Sequence, residues 1–211
     1  LVMGGIAMVK CIHTGDLHLG SQFNSFDFNK NYCSDRRLEL WEVFNRIVDR
    51  AINNDVDFLL IAGDIYEDKY FTVGDIKRVR DKLKEAVNTK IIIAAGNHDP
   101  LNKGNLYETI NWPSNVYIFD SCSLSCLEFN DKNTVIWGYS WNRKEEKKSF
   151  LSNCPKLDTS KLNILLLHGD ILNKNTSYLP VDKSTLISIG FDYVALGHIH
   201  KPQFIEKNIA Y

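Results

Sequence analysis

A chain of 211 residues with a formal net charge of −1 can bury one substantial core, and its 44% apolar and 24% charged residues are those of an ordinary globular domain. The absence of low-complexity runs and fixed-period repeats excludes disorder and solenoids. The near-neutral balance excludes global attraction to a polyanion, so any nucleic-acid contact needs a local basic face, metal ions or a partner.

The opening Leu1 to Val9 is apolar, but it is short and lacks a basic n-region, so neither a signal peptide nor a membrane span fits. Met8 fits a native start, with Leu1 to Ala7 a vector-derived leader. The first predicted strand, Val9–His13, is followed by a helix that Asp35 can cap, with Leu38, Trp41, Phe44, Ile47, Val48 and Ala51 on one face. A second strand, Asp57–Ala62, leads to a helix with a Thr72/Asp75 capping box and a buried stripe of Ile76, Val79, Leu83 and Ala86. Lys90–Ala95 is the third strand. The middle third then reads as antiparallel strands of a second sheet, Val116–Phe119, Ser123–Phe129 and Thr134–Tyr139, joined by polar turns such as Asn130 to Asn133. Arg143 to Phe150 reads as a charged, exposed helix. The alternation resumes with strands Leu162–Leu167 and Tyr193–Leu196, so the chain is expected to form one α/β domain over residues 1–211.

The five cysteines, Cys11, Cys33, Cys122, Cys126 and Cys154, are odd in number and lack paired spacing, which fits reduced thiols in a cytoplasmic protein.

Functional residues of open α/β sheets gather beyond the carboxyl ends of the strands. There this sequence places Gly15-Asp16-Leu17-His18, Gly63-Asp64, Gly96-Asn97-His98-Asp99, His168-Gly169-Asp170 and Gly197-His198-Ile199-His200. Five of the six histidines lie in these clusters, a distribution that points to metal ligation; mixed Asp and His donors suit manganese, iron or zinc. Asp16 and His18, like His198 and His200, are two apart and fit the same side of an extended segment. The glycines before Asp16, Asp64, Asn97 and His198 allow close backbone approach.

These clusters, in this order from Lys10 to Lys201, resemble the calcineurin-like metallophosphoesterase superfamily. The resemblance implies a two-sheet α/β/β/α sandwich and a two-metal centre. Asp16, His18, Asp64 and His200 would bind one ion and Asp64, Asn97, His168 and His198 the other, with Asp64 bridging a pair roughly 3.5–4 Å apart. It also implies direct in-line attack by water, without a covalent intermediate, and a catalytic role for the non-ligand His98 at the leaving oxygen. Gly-Asp-Leu-His-Leu-Gly, Ala-Gly-Asp-Ile-Tyr and Ala-Leu-Gly-His-Ile-His-Lys look most like the SbcD-type DNA repair exonuclease subunit. That likeness implies manganese-dependent DNA cleavage, a homodimer, and partnership with an SMC-like ATPase of the SbcC type. SbcD-type proteins continue into a DNA-contacting cap and an ATPase-docking segment, so a chain stopping at Tyr211 is expected to be the catalytic domain. The helix from Asp35 to Ala51 and its preceding loop are the dimer surface implied by the likeness.

Other readings stand beside these. A small-molecule or cyclic-nucleotide phosphodiesterase would carry nearly the same ligands, and a non-catalytic scaffold could keep the site's shape. Protein serine/threonine phosphatases fit less well, because Asp64-Ile65-Tyr66-Glu67-Asp68-Lys69 lacks their phosphate-binding arginine. His13 lies outside the clusters and reads as structural. Asp170 either holds the turn after His168 or supports a ligand from behind. Arg36 and Arg37, and the run from Lys77 to Lys84, read as solvated helix faces or phosphate contacts. Trp112, Trp137, Tyr139 and Trp141 read as core or edge aromatics.

Overall fold

The computed structural model describes residues 8–23, 30–120, 123–147, 151, 154 and 156–211, with the backbone alone at 30 and 31. Residues 1–7, Cys122 and residues 148–150 lie outside the described residues.

Two sheets form the centre. The first has the order β1 (Cys11–Thr14), β2 (Phe58–Ala62), β3 (Lys90–Ala94), β4 (Val116–Ile118), all parallel. In the second, β6 (Thr134–Gly138), β7 (Leu162–His168), β8 (Tyr193–Gly197) and β10 (Ile209–Ala210) run parallel, flanked by antiparallel β5 (Ser125–Phe129) and β9 (Phe204–Glu206). The second sheet therefore has antiparallel edges, whereas β4 pairs parallel with β3 in the first sheet instead of joining the expected antiparallel group. Its placement follows from packing: Phe119, just after β4, donates its N–H to Ile93 O (2.9 Å) and lays its ring where a Cβ on Gly138 would be 2.2 Å away.

The period of two along each strand builds the layers. Phe58, Leu60 and Ala62 of β2 face Ile136, Ile164, Leu166 and Ala195 of the second sheet. Leu59 and Ile61 face the other way, against Trp41, Phe44 and Val48 of α1 (Lys30–Asn53) and Ile76, Val79 and Leu83 of α2 (Val73–Lys84). Beyond the second sheet, Leu165, Leu167, Val194 and Leu196 pack on Trp141 and on Leu186 of α3 (Lys183–Ile189). The result is the α/β/β/α sandwich. Both sheets bury two faces, so truncating an inter-sheet residue such as Leu60 to Ala should cost about 2–5 kcal/mol.

The Thr72/Asp75 capping box is present: Asp75 N–H donates to Thr72 Oγ1 at 3.2 Å and Thr72 N–H donates to Asp75 Oδ2 at 3.0 Å. Two helix expectations are corrected. The first helix begins at Lys30, placing Asp35 within it rather than at its cap, and Leu38 is exposed while Leu40 packs on the core. From Arg143 to Lys147 there is no helix; Glu146 forms a parallel bridge with Tyr178, and Arg143 pairs with it at 2.7 Å, so tertiary pairing overrides local charge patterning. Among the described residues no helix is long and apolar enough to cross a membrane. The described cysteines are all free thiols.

Candidate metal centre

Strands β1, β2, β3, β7 and β8 all end on the same rim, and the predicted clusters meet there from opposite ends of the chain. The segment after β1 runs beside the segment after β2: Asp16 N–H donates to Gly63 O (3.1 Å), His18 N–H to Asp64 O (2.9 Å) and Leu19 N–H to Ile65 O (2.9 Å). Asp16, His18, Asp64 and His198 all have positive φ, at 53°, 44°, 53° and 105°. A non-glycine residue pays on the order of 1 kcal/mol or more for such a backbone and keeps it only where the surroundings hold it. Here the holding contacts are those backbone bonds and the His198 N–H, which donates to both oxygens of Asp16 at 3.0 and 3.1 Å.

Glycine is required by contact as well as by torsion. Gly63 has φ +82°, and a Cβ there would lie 2.5 Å from His168 Nδ1; one on Gly96 would lie 2.2 Å from Asp64 Oδ1.

The rim divides into a deep and a shallow half. In the deep half Asp64 is 1% and His168 0% exposed. His168 Nδ1–H donates to Ala62 O at 2.9 Å, while its Nε2 lies 2.9 Å from Asn97 Oδ1 and 3.2 Å from Asp64 Oδ2. All three partners are acceptors, so both ring nitrogens carry protons. Burial alone would lower the His168 pKa, but Asp64 and Asp16 outweigh it and raise it to about 9. Burial likewise opposes ionisation of Asp64, yet His168 and the His98 N–H, at 2.9 Å from Oδ1, bring it down to about 2. Asp16, further from that imidazolium, is raised by burial.

In the shallow half His18 Nε2 lies 3.0 Å from His200 Nε2 and 3.7 Å from Asp64 Oδ2, and His200 Nε2 is 4.0 Å from Asp16 Oδ1. Donor atoms of Asp16, His18 and His200 lie within 4.8 Å of one another, as do those of Asp16, Asp64 and His168. Two imidazole nitrogens aimed at one point beside a carboxylate fit a divalent cation, and so does a buried carboxylate pair now balanced by a protonated imidazole. The donor atoms of His18, Glu67 and His98 form a third such group, and His198 is in none of the three. Its ring stands between His168 (centroids 5.2 Å) and Tyr178 (4.9 Å), with its pKa lowered to about 4 by burial, which keeps it neutral.

His98 is half-exposed and linked through Nδ1 to Glu67 Oε2 at 2.9 Å; the same carboxylate meets His18 Nδ1 through Oε1 at 2.7 Å. Glu67 had no signal in the sequence beyond its place three residues after Asp64, in a run of charges that looks solvated. Asp99, the last residue of the third cluster, is fully buried. It accepts from Asp64 N–H (3.1 Å), Ile65 N–H (2.7 Å), Gly96 N–H (2.6 Å) and Tyr107 OH (2.6 Å), tying the loops after β2 and β3 together. Burial, with Asp64 nearby, raises its pKa to about 6.

His13 is structural: its nitrogens meet Tyr193 Oη (3.1 Å) and Leu196 O (3.0 Å), and burial lowers its pKa to about 4. Asp170 holds the turn, accepting from the N–H groups of Leu172 and Asn173 at 2.8 and 3.0 Å. Trp141 is core, its indole N–H donating to His168 O at 2.7 Å. The basic run of α2 is engaged in surface contacts: Arg78 lies over Trp41, Arg80 pairs with Asp81, and Lys82 with Asp49 and Glu85.

A parallel-strand rim carrying mixed carboxylate and imidazole trios fits a metal-dependent enzyme. The chain belongs to the calcineurin-like phosphoesterase family, whose model matches residues 9–202. It is 29% identical over 204 residues to an uncharacterized metallophosphoesterase, YhaO, of Bacillus subtilis (strain 168), an alignment covering 92% of this chain and 49% of that protein. The chain thus spans about half the length of this curated relative. It is a metal-binding hydrolase of phosphate esters.

Proposed function

We propose that the chain is a manganese-dependent nuclease domain that cleaves DNA phosphodiesters. The observation that carries this reading is the openness of the rim: the side chains of His200 and His98 are 64% and 42% exposed, so a polymer can lie across the site without entering a closed pocket. The likeness of the first, second and last clusters to SbcD-type nucleases supports the same reading. On that likeness the chain works in the cytoplasm beside an SMC-like ATPase, and pairs with a second copy through α1, where Leu38 and Val43 are exposed.

In this reading Asp16, His18, Asp64 and His200 hold one ion and Asp64, Asn97, His168 and His198 the other. Asp64 Oδ2 lies near enough to both His18 and His168 to serve both. When bound, the ion pair supplies a water of lowered pKa and offsets charge on the phosphate. To hold an ion His168 would release its Nε2 proton to solvent, with its orientation kept by the Nδ1–H bond to Ala62 O. His98, committed through Nδ1 to Glu67, presents Nε2 to the leaving oxygen; Glu67 raises its pKa, which keeps the proton available for donation.

The test is hydrolysis of linear DNA with manganese, beside bis-p-nitrophenyl phosphate and a cyclic nucleotide, with His98→Ala as control. DNA cleavage that vanishes in the variant is the expected result. Turnover of the small diesters alone, unchanged when the chain is extended past Tyr211, would move the substrate to a small molecule.

A further inference from the structure

We propose that Glu67 is a positioning residue shared by the two functions of the site, holding the metal-facing His18 and the leaving-group histidine His98 with one carboxylate. This rests on the ligand and His98 assignments above. Each oxygen of Glu67 takes one imidazole Nδ1, at 2.7 Å for His18 and 2.9 Å for His98. A carboxylate accepts only, so both rings must carry Nδ1–H and leave Nε2 as the working atom. For His18 that atom points at His200 Nε2 and Asp64, where the cation is held.

The rings stand edge to face, 4.8 Å apart at 83°. That separation suits a forked acceptor between them. Glu67 itself is launched from a fixed point: its N–H donates to Leu19 O (3.0 Å), and its carbonyl accepts from Tyr70 and Phe71 N–H (2.9 and 3.1 Å). The carboxylate is therefore a fixed part of the framework. Its loss must disturb metal binding and proton donation together, because it acts through both imidazoles.

Glu67→Gln separates this from a merely structural role, because the two Nδ1–H groups meet different oxygens and an amide would set an NH2 donor against one of them. Calorimetric titration with manganese should show affinity weakened about 10-fold or more. With bis-p-nitrophenyl phosphate at saturating manganese, kcat should stay depressed, and Glu67→Gln with His98→Ala should lose no more kcat than His98→Ala alone. Unchanged manganese affinity, kcat fully restored by excess metal, or multiplicative losses in the double variant would overturn the proposal. Long-range ¹⁵N–¹H NMR of the unmodified chain needs no variant: it should find Nδ1–H on both His18 and His98, and an unprotonated Nδ1 on either overturns it. A wild-type chain that binds no manganese refutes the ligand assignment and this proposal with it. Manganese binding that Glu67→Gln leaves unchanged refutes this proposal alone.

Discussion

The deep and shallow halves of the rim use similar residue types under opposite conditions. Asp64 and His168 are sealed between the sheets, and each of their polar atoms is directed by backbone or by a buried neighbour; His18 and His200 meet at the edge, with His200 mostly in water. Burial makes the deep half a preorganised, strongly coupled pair whose charges must balance. The shallow half depends on Glu67 and on the cation itself to hold its geometry. The deep half should therefore set whether the centre exists, and the shallow half how tightly and exchangeably one ion is held.

The comparison is broken most sharply by Asp64→Ala. It should reduce hydrolysis to background and, by leaving His168 buried without its counter-charge, destabilise the metal-free chain by about 3 kcal/mol or more, read by urea denaturation. Asp99→Asn keeps one oxygen for the Asp64 and Gly96 N–H groups but sets an amide NH2 against the Ile65 N–H and Tyr107 OH that the other oxygen accepts, and should cost about 10–100-fold in turnover, with Tyr107→Phe milder.

Proton competition sharpens the contrast next. The His168 pKa is raised from 6.5 to about 9, so its stabilising pair in the metal-free chain is complete below about 6.5 and is lost as pH rises through about 9. Metal loading displaces that proton, so affinity at the deep half should rise about tenfold per pH unit towards 9, measured calorimetrically. Neutral His198, lowered to about 4, adds no such dependence above pH 5.

His200→Ala should weaken manganese binding about 10-fold but recover much of its turnover in excess metal, whereas no amount of metal should rescue Asp64→Ala. The smallest effect belongs to His13→Ala, which removes two structural bonds: about 1–2 kcal/mol of stability in a thermal melt, and turnover at saturating metal within a few-fold of wild type.

The amino-acid sequence by itself determined the local units: short apolar strands, each running into a glycine and a ligand type, and two helices with their buried stripes. Those features act over a few residues, through torsion and period, so the clusters that contain Asp16, His18, Asp64, Asn97, His98, His168, His198 and His200 stood out as candidates before any fold was known. Only the tertiary structure decided which groups meet. Asp16 reaches His198 across 182 positions, Glu67 finds His18 across 49 and His98 across 31, and Asp99 binds the loop 35 residues earlier. Tertiary packing also drew β4 into the first sheet and replaced the expected helix after Arg143 with a bridge to Tyr178. Glu67 and Asp99 stayed hidden for one physical reason: a carboxylate in a charged run looks solvated, and only the packed chain shows which N–H groups surround it.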